Sequence, residues 1–349
     1  MPYTATKSEP ITHDVDFSVI VTPPYHCKVL KVWIPVPQTD SAQEIRASRF
    51  STFPADIKPK INSEPVYGNR FAYFEFHNPR GAQIIRHRFQ AKLWNLDWKL
   101  QPGNIAEVDE WPPAFEPYLR PQALKDEGAF MSVLDSIIPQ KQQTQPNLLA
   151  VMDWIDQHMM YDHIAASLQA DANHAFEERR GHCSDYHGLC ATMGRMIGQP
   201  TRVTYGLALY PKNSPSHCKM EAFLAPYGWV SFDLSETQKL VKRIQSDRSL
   251  NQFEQNTLIE KARERFKYGF RENSWLLVTK GTDYELAPKA TKPVRIVRTA
   301  YIEADGKPLP EPDPANPNER RFSWMTAHKY TADNPVVNPF ADFDSLVID

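Results

Sequence analysis

Four cysteines in 349 residues are too few for a disulfide scaffold: Cys27 stands alone, and Cys183, Cys190 and Cys218 cluster in the second half. A chain of this length can bury a core without covalent staples, so free thiols are expected. Glycine is scarce, with 13 residues against 30 prolines, which argues against floppy linkers and for stiff, extended connections. No apolar run reaches the roughly 18 residues of a membrane span. Neither sign of charge dominates: 40 Lys and Arg stand against 42 Asp and Glu, for a formal net charge of −2. That balance gives no electrostatic case for nucleic acid or an anionic membrane as partner. The opening MPYTATKSEPITHDVDF lacks a basic stretch followed by an apolar one and does not read as a signal peptide. A cytoplasmic protein and the mature form of an exported one both fit, and the oligomeric state stays open.

What is present suggests more than one core. Apolar residues make up 41% of the chain, and its length exceeds what a single core usually uses. From Asp14 to about Leu100, short runs such as VDFSVIVT, CKVLKVWIPVP, RFAYFEFH and AQIIRHRFQAKLWNL alternate and are separated by turn residues. Residues 1–105 are therefore expected to form an all-β, sandwich-like domain. Residues 106–145 read as a proline-rich connection with one short helix near Glu127 to Ile137. Residues 146–308 form the next unit, and 309–349 an extended tail rich in proline, asparagine and aspartate. In the unit 146–308, Leu148, Leu149, Met152, Ile155, Met159 and Met160 make a helical stripe after Pro146, and a second helix starts at or near Cys183 and stops at Gly198. TRVTYGLAL, HCKMEAFL and GWVSFDL then read as strands, the last two as a hairpin across APYG. A charged helix is expected from about Asn251 to Lys267.

A cysteine at a helix N-terminus has chemical consequences. Unpaired N–H groups and the helix dipole favour the thiolate, and the same N–H groups can stabilise an oxyanion. A nucleophilic thiol also needs a base, and the base an orienting carboxylate. His217 opens one hairpin strand and Asp233 closes the next, so the hairpin sets them side by side. The residues RRGHCSDYHGL, then Arg195, Gly198, Pro200 and Arg202, then His217 and Glu221, then Gly228, Trp229 and Asp233 resemble the transglutaminase-like superfamily in its bacterial branch. That family shows a Cys after G-x, then R-x-x-G-x-P-x-R, H-x-W-x-E and G-W-x-x-x-D. The resemblance covers Pro146 to Pro308 well and the first domain loosely. It implies an α+β fold: an all-β, sandwich-like domain followed by a papain-like core whose cysteine helix packs on an antiparallel sheet. It also implies a triad of Cys183, His217 and Asp233. One position departs from the pattern: where the family usually has an aromatic two residues after the histidine, this chain has Lys219.

The implied chemistry is acyl transfer on an amide of a peptide or protein through a thioester, with hydrolysis the first choice. Transglutamination with an amine acceptor and a non-catalytic binding module are the alternatives. No cofactor and no metal are implied. His187 lies one helical turn from Cys183, but His217 and Cys218 point to opposite faces of a strand, so a zinc site is not expected. Tyr161 is a candidate oxyanion donor against its reading as a core tyrosine. Lys219, His182 and Trp229 are placed near the substrate, and Lys219 is expected either to lower the pKa of His217 or to bind an acidic substrate group. Cys190 and Cys218 read as packing residues, and Arg195 and Arg202 as structural.

Overall fold

The computed structural model describes residues 5–8, 10–138, 144–210, 216–312 and 323–346. Residues 139–143 of the connecting segment and 313–322 and 347–349 of the tail lie outside the described residues. The fold is α+β with antiparallel sheets.

Period-two burial builds the first layer. In Ile11–Val21 every second residue is buried, from Ile11 through Val15, Phe17 and Val19 to Val21. Gln83–Leu93 has the same period and pairs antiparallel with it along the full length, from Ile11 opposite Leu93 to Val21 opposite Gln83. Gln43–Phe53 extends this sheet on one side. A second sheet is centred on Val29–Val36 and Arg70–His77. Phe17, Val19, Val32, Ile34, Phe74 and Ile85 meet in a shared core, which makes the expected sandwich. It is not built from N-terminal residues alone. Tyr301–Ala304 joins the second sheet against Val29–Val36, and Trp324–Ala332 pairs with Ile11–Val21 as an edge strand of the first. The stretch read as an extended tail is thus partly a strand, because an edge of unpaired backbone groups was open to it.

The second layer is an antiparallel sheet in the order Gly228–Phe232, Ser216–Leu224, Thr201–Ala208, Trp275–Lys280. The helix Cys183–Met196 packs on its two central strands and is buried from Cys183 through Arg195. Leu207, Leu209, Leu276 and Val278 belong to the sandwich core, so the two layers share a wall. The helix Thr144–His158 starts two residues earlier than its proline suggests, and a helix at Leu234–Ser246 begins where a strand residue is expected.

Gly206 seats this arrangement. A Cβ there would collide with the carbonyl oxygen of Leu276 and come within 2.5 Å of the Trp275 ring. The Trp275 indole in turn donates to the backbone carbonyl of His217 at 3.2 Å. Gly206→Ala is expected to destabilise the fold by about 1–3 kcal/mol, the cost of overpacking a dense core, read as a fall in the urea midpoint.

Candidate active site

Local sequence explains the helix start at Cys183. His182 is the N-cap: its ring accepts from the Ser184 N–H at 3.2 Å, while the Asp185 carboxylate takes the His182 N–H at 3.0 Å. This reciprocal cap satisfies donors that a helix start otherwise leaves unpaired. Gly181 stands at φ +153°, and a Cβ there would lie 2.6 Å from the Cβ of Asp185. The glycine two residues before the cysteine is therefore required by the cap. Asp185 also accepts from the backbone N–H and the hydroxyl of Ser167, which ties the preceding loop to the helix.

Cys183 is 6% exposed, and its sulfur lies 3.7 Å from His182 Nδ1. Burial opposes its ionisation. The neighbouring His182 and then His217 outweigh burial and hold the thiol well below its ordinary range.

The hairpin delivers the other two residues. Met220 opposes Phe232 across it, which leaves His217 on one strand near Asp233 just past the other. His217 Nε2 and Asp233 Oδ2 are 2.6 Å apart, and both side chains are buried. Asp233 closes the strand and also caps the next helix: its Oδ1 accepts from the Glu236 N–H at 3.0 Å and the Ser235 hydroxyl at 3.3 Å. Burial would push the Asp233 carboxyl up, but the charges of Lys219 and then His217 hold it well below the usual carboxylate range. Burial would push His217 down, but the charges of Asp233 and then Cys183 raise it to about 9. His217 Nδ1 makes no hydrogen bond among the described residues, its nearest carboxylate oxygen being Glu236 Oε1 at 3.8 Å. His187 is spent elsewhere: its Nε2 accepts from the Leu234 N–H at 3.1 Å, and burial lowers it to about 4, so it is neutral near pH 7.

The remaining candidates divide. Tyr161 lies in a two-residue strand paired with Gly181, beside the start of the cysteine helix. Burial and then the charge of Cys183 push its phenol up, so it keeps its proton and can donate. His182 stays next to the thiol. Lys219 shares a strand face with His217, but it is 0% exposed, with its ammonium 2.6 Å from Asp233 Oδ2 and 2.8 Å from Glu272 Oε2. The structure thus places it beside Asp233 and away from any solvent-borne ligand; the net rise of His217 comes from Asp233 and Cys183. Trp229 opposes Phe223, six residues beyond His217 and so about 20 Å along the strand. It packs among Phe115, Tyr118 and Phe223 under the Arg202 guanidinium, which pairs with Glu221 at 2.6 Å; its place is in an aromatic cluster remote from the thiol. Arg195 bonds the carbonyls of Thr201 and Arg120. Cys190 and Cys218 are buried, and burial pushes both thiols up. Among the described residues no group of three or more His, Cys, Asp or Glu side chains is arranged to hold a metal ion. Glu272 is absent from the sequence reading. It sits on a separate connection, and no motif or spacing marks it.

Residues 132–234, which include Cys183, His217 and Asp233, match the family model of the transglutaminase-like superfamily core. An uncharacterized protein of Haemophilus influenzae is 21% identical over 332 residues, covering 81% of this chain and 83% of its own. A solved structure of a "putative cysteine protease" from Cytophaga hutchinsonii superposes with a TM-score of 0.63 at 14% identity, over 96% of this chain and 95% of that one. At that identity the likeness is one of fold. The periplasmic domain of TgpA from Pseudomonas aeruginosa matches with a TM-score of 0.34 at 14% identity, over 65% of this chain and 96% of that one. Over residues 132–234 the chain is similar to the transglutaminase-like core, and its fold is like that of the Cytophaga protein.

Because the folded value of His217 exceeds the roughly 6.5 of an unfolded histidine, its charge adds stability that is complete below about pH 6.5. That contribution is lost as pH rises through about 9. Cys183→Ala removes one of the charges that raise the ring. The His217 midpoint is then expected to fall by about one unit, read by NMR titration of the labelled imidazole. An unmoved midpoint would show that the two side chains do not interact.

Proposed function

We propose that this chain is a cysteine-dependent acyl-transfer enzyme working through a thioester. The observation that supports the reading most is the buried ring of His217, hydrogen-bonded through Nε2 to Asp233 at 2.6 Å and coupled by charge to a thiol at a helix N-terminus. Cys183 ionised beside a protonated His217 is a nucleophile and an acid already in place.

In this reading the Cys183 sulfur attacks the carbonyl carbon of an amide in a peptide or protein. The carbonyl oxygen takes up the negative charge, steadied by the Cys183 N–H and the Tyr161 hydroxyl. The C–N bond then breaks, and the His217 imidazolium gives its proton to the leaving amine. Water attacks the thioester, neutral His217 takes the water proton, and the C–S bond breaks to release the acid. Asp233 holds the ring in one tautomer and steadies its charge. An amine in place of water would give transglutamination by the same steps. Hydrolysis is preferred because no feature of the chain marks a dedicated amine site.

The reading is tested by trapping. Incubation with a peptide mixture, acid quenching and mass spectrometry should find an acyl group on Cys183. Release as a free acid distinguishes hydrolysis from transfer to an added amine. Reactivity gives a substrate-independent check: iodoacetamide at about pH 6 should alkylate Cys183 first, and His217→Ala should slow this by roughly tenfold or more. Equal labelling of all four cysteines, unchanged by His217→Ala, would leave Cys183 an ordinary thiol and the chain a binding module.

A further inference from the structure

Lys219 is a buried cation at the position where the family pattern has an aromatic. Its ammonium touches two carboxylates, Asp233 Oδ2 at 2.6 Å and Glu272 Oε2 at 2.8 Å, and lies about 5 Å from the ring centroids of Trp275 and Phe340, at 5.3 and 5.0 Å. The same Oδ2 receives His217 Nε2. One carboxylate oxygen therefore serves two cations at once. Were Lys219 and Asp233 alone, their charges would cancel and His217 would lose its counter-charge. Glu272 offsets this by drawing on the same ammonium, so that less of the Lys219 charge cancels Asp233.

Glu272 is held in place from outside the core sheet. Its neighbour Arg271 reaches into the sandwich, bonding Asp40 at 3.0 Å and Gln43 at 2.8 Å, and the Asn273 N–H donates to Asn95 at 2.7 Å. Gln43 also takes the Leu277 N–H at 2.8 Å. The turn that carries the second carboxylate is thus anchored on the N-terminal domain, at both neighbours of Glu272.

We infer that Lys219 and Glu272 are positioning residues of the candidate site: they hold Asp233 and together set how much of its charge reaches His217. This rests on the reading of Cys183 and His217 as a working pair. The other charged groups around the ring come from several elements. Cys183 and His187 lie on the cysteine helix, with His187 neutral. Asp233 and Glu236 stand at the start of Leu234–Ser246, and Glu236 is paired with Lys239 at 2.5 Å. Arg265 acts on both Glu272 and Asp233 from Gln252–Tyr268. Tyr161 and Tyr210 are pushed up by burial and bring no charge. Within this set, Lys219 touches the Asp233 oxygen that His217 also touches, Glu272 reaches it through Lys219, and the two bear on His217 with opposite sign.

Opposite sign is what a purely structural role cannot mimic. Glu272→Gln removes a negative charge and keeps the side-chain shape. It is expected to favour the thiolate and disfavour the imidazolium, moving the acid inflection of Cys183 alkylation by iodoacetamide down by about half a unit or more. Lys219→Met removes the cation and should move that inflection up, with Lys219→Arg restoring the wild-type profile. The measurement is the alkylation rate against pH, with the labelled residue assigned by mass spectrometry and folding checked by circular dichroism. Shifts in the same direction, or none in either variant, overturn the inference. If Lys219→Met does not fold, Glu272→Gln decides alone, an unshifted or upward-shifted inflection counting against the inference. Should the wild-type protein itself show no low-pH labelling of Cys183, the enzymatic reading fails first, and the loss is distinguishable from this one.

Discussion

A carboxylate removed from water must be surrounded by donors, and the whole candidate site is arranged around that requirement at Asp233. An isolated buried carboxylate costs on the order of several kcal/mol, more than most single contacts return. Asp233 meets the requirement with two cations on Oδ2, and with a helix N–H and a hydroxyl on Oδ1. Its place at a strand-to-helix turn makes this possible. The strand side brings His217 and Lys219 from the neighbouring strand, and the helix side supplies the capping donors.

The rest of the fold keeps that cluster dry and still. The cysteine helix lies across the two central strands, and Trp275, admitted by the missing side chain at Gly206, covers the strand beside His217. The C-terminal segment supplies Phe340 to the wall around Lys219, held there by Arg265, which donates to the Pro339 carbonyl at 2.6 Å. The sandwich contributes the anchors of Arg271 and Asn273. Parts of the chain far from the thiol in sequence thereby share in setting its surroundings.

Much of this was legible in the residues. Alternating burial in Ile11–Val21 and Gln83–Leu93 follows directly from the apolar period, and the helix start at Cys183 follows from local cap chemistry. The pairing of His217 with Asp233 follows from a hairpin of readable length. Trp229 was misleading for a geometric reason: it shares a motif with Asp233, yet an extended strand carries it well away. Glu272 was invisible because nothing local ties it to Lys219. The contribution of Trp324–Ala332 to the sandwich was equally hidden, since pairing at a sheet edge depends on what remains open after the other strands have formed.

The sequence by itself determined the identities of the thiol, the imidazole and the carboxylate. It also determined that His217 and Lys219 share one strand face while Cys218 takes the other, because strand parity is a property of the backbone. Only the tertiary structure decided what Lys219 does. Spacing can place an ammonium on the same face as a histidine, but it cannot say whether water, a substrate or two carboxylates will meet it there. That depends on burial and on charges brought close through space by Asp233 and Glu272, residues 14 and 53 positions further along the chain. Electrostatic interactions fall with distance in three dimensions and are strengthened when water is excluded, so the charge state of the site belongs to the fold.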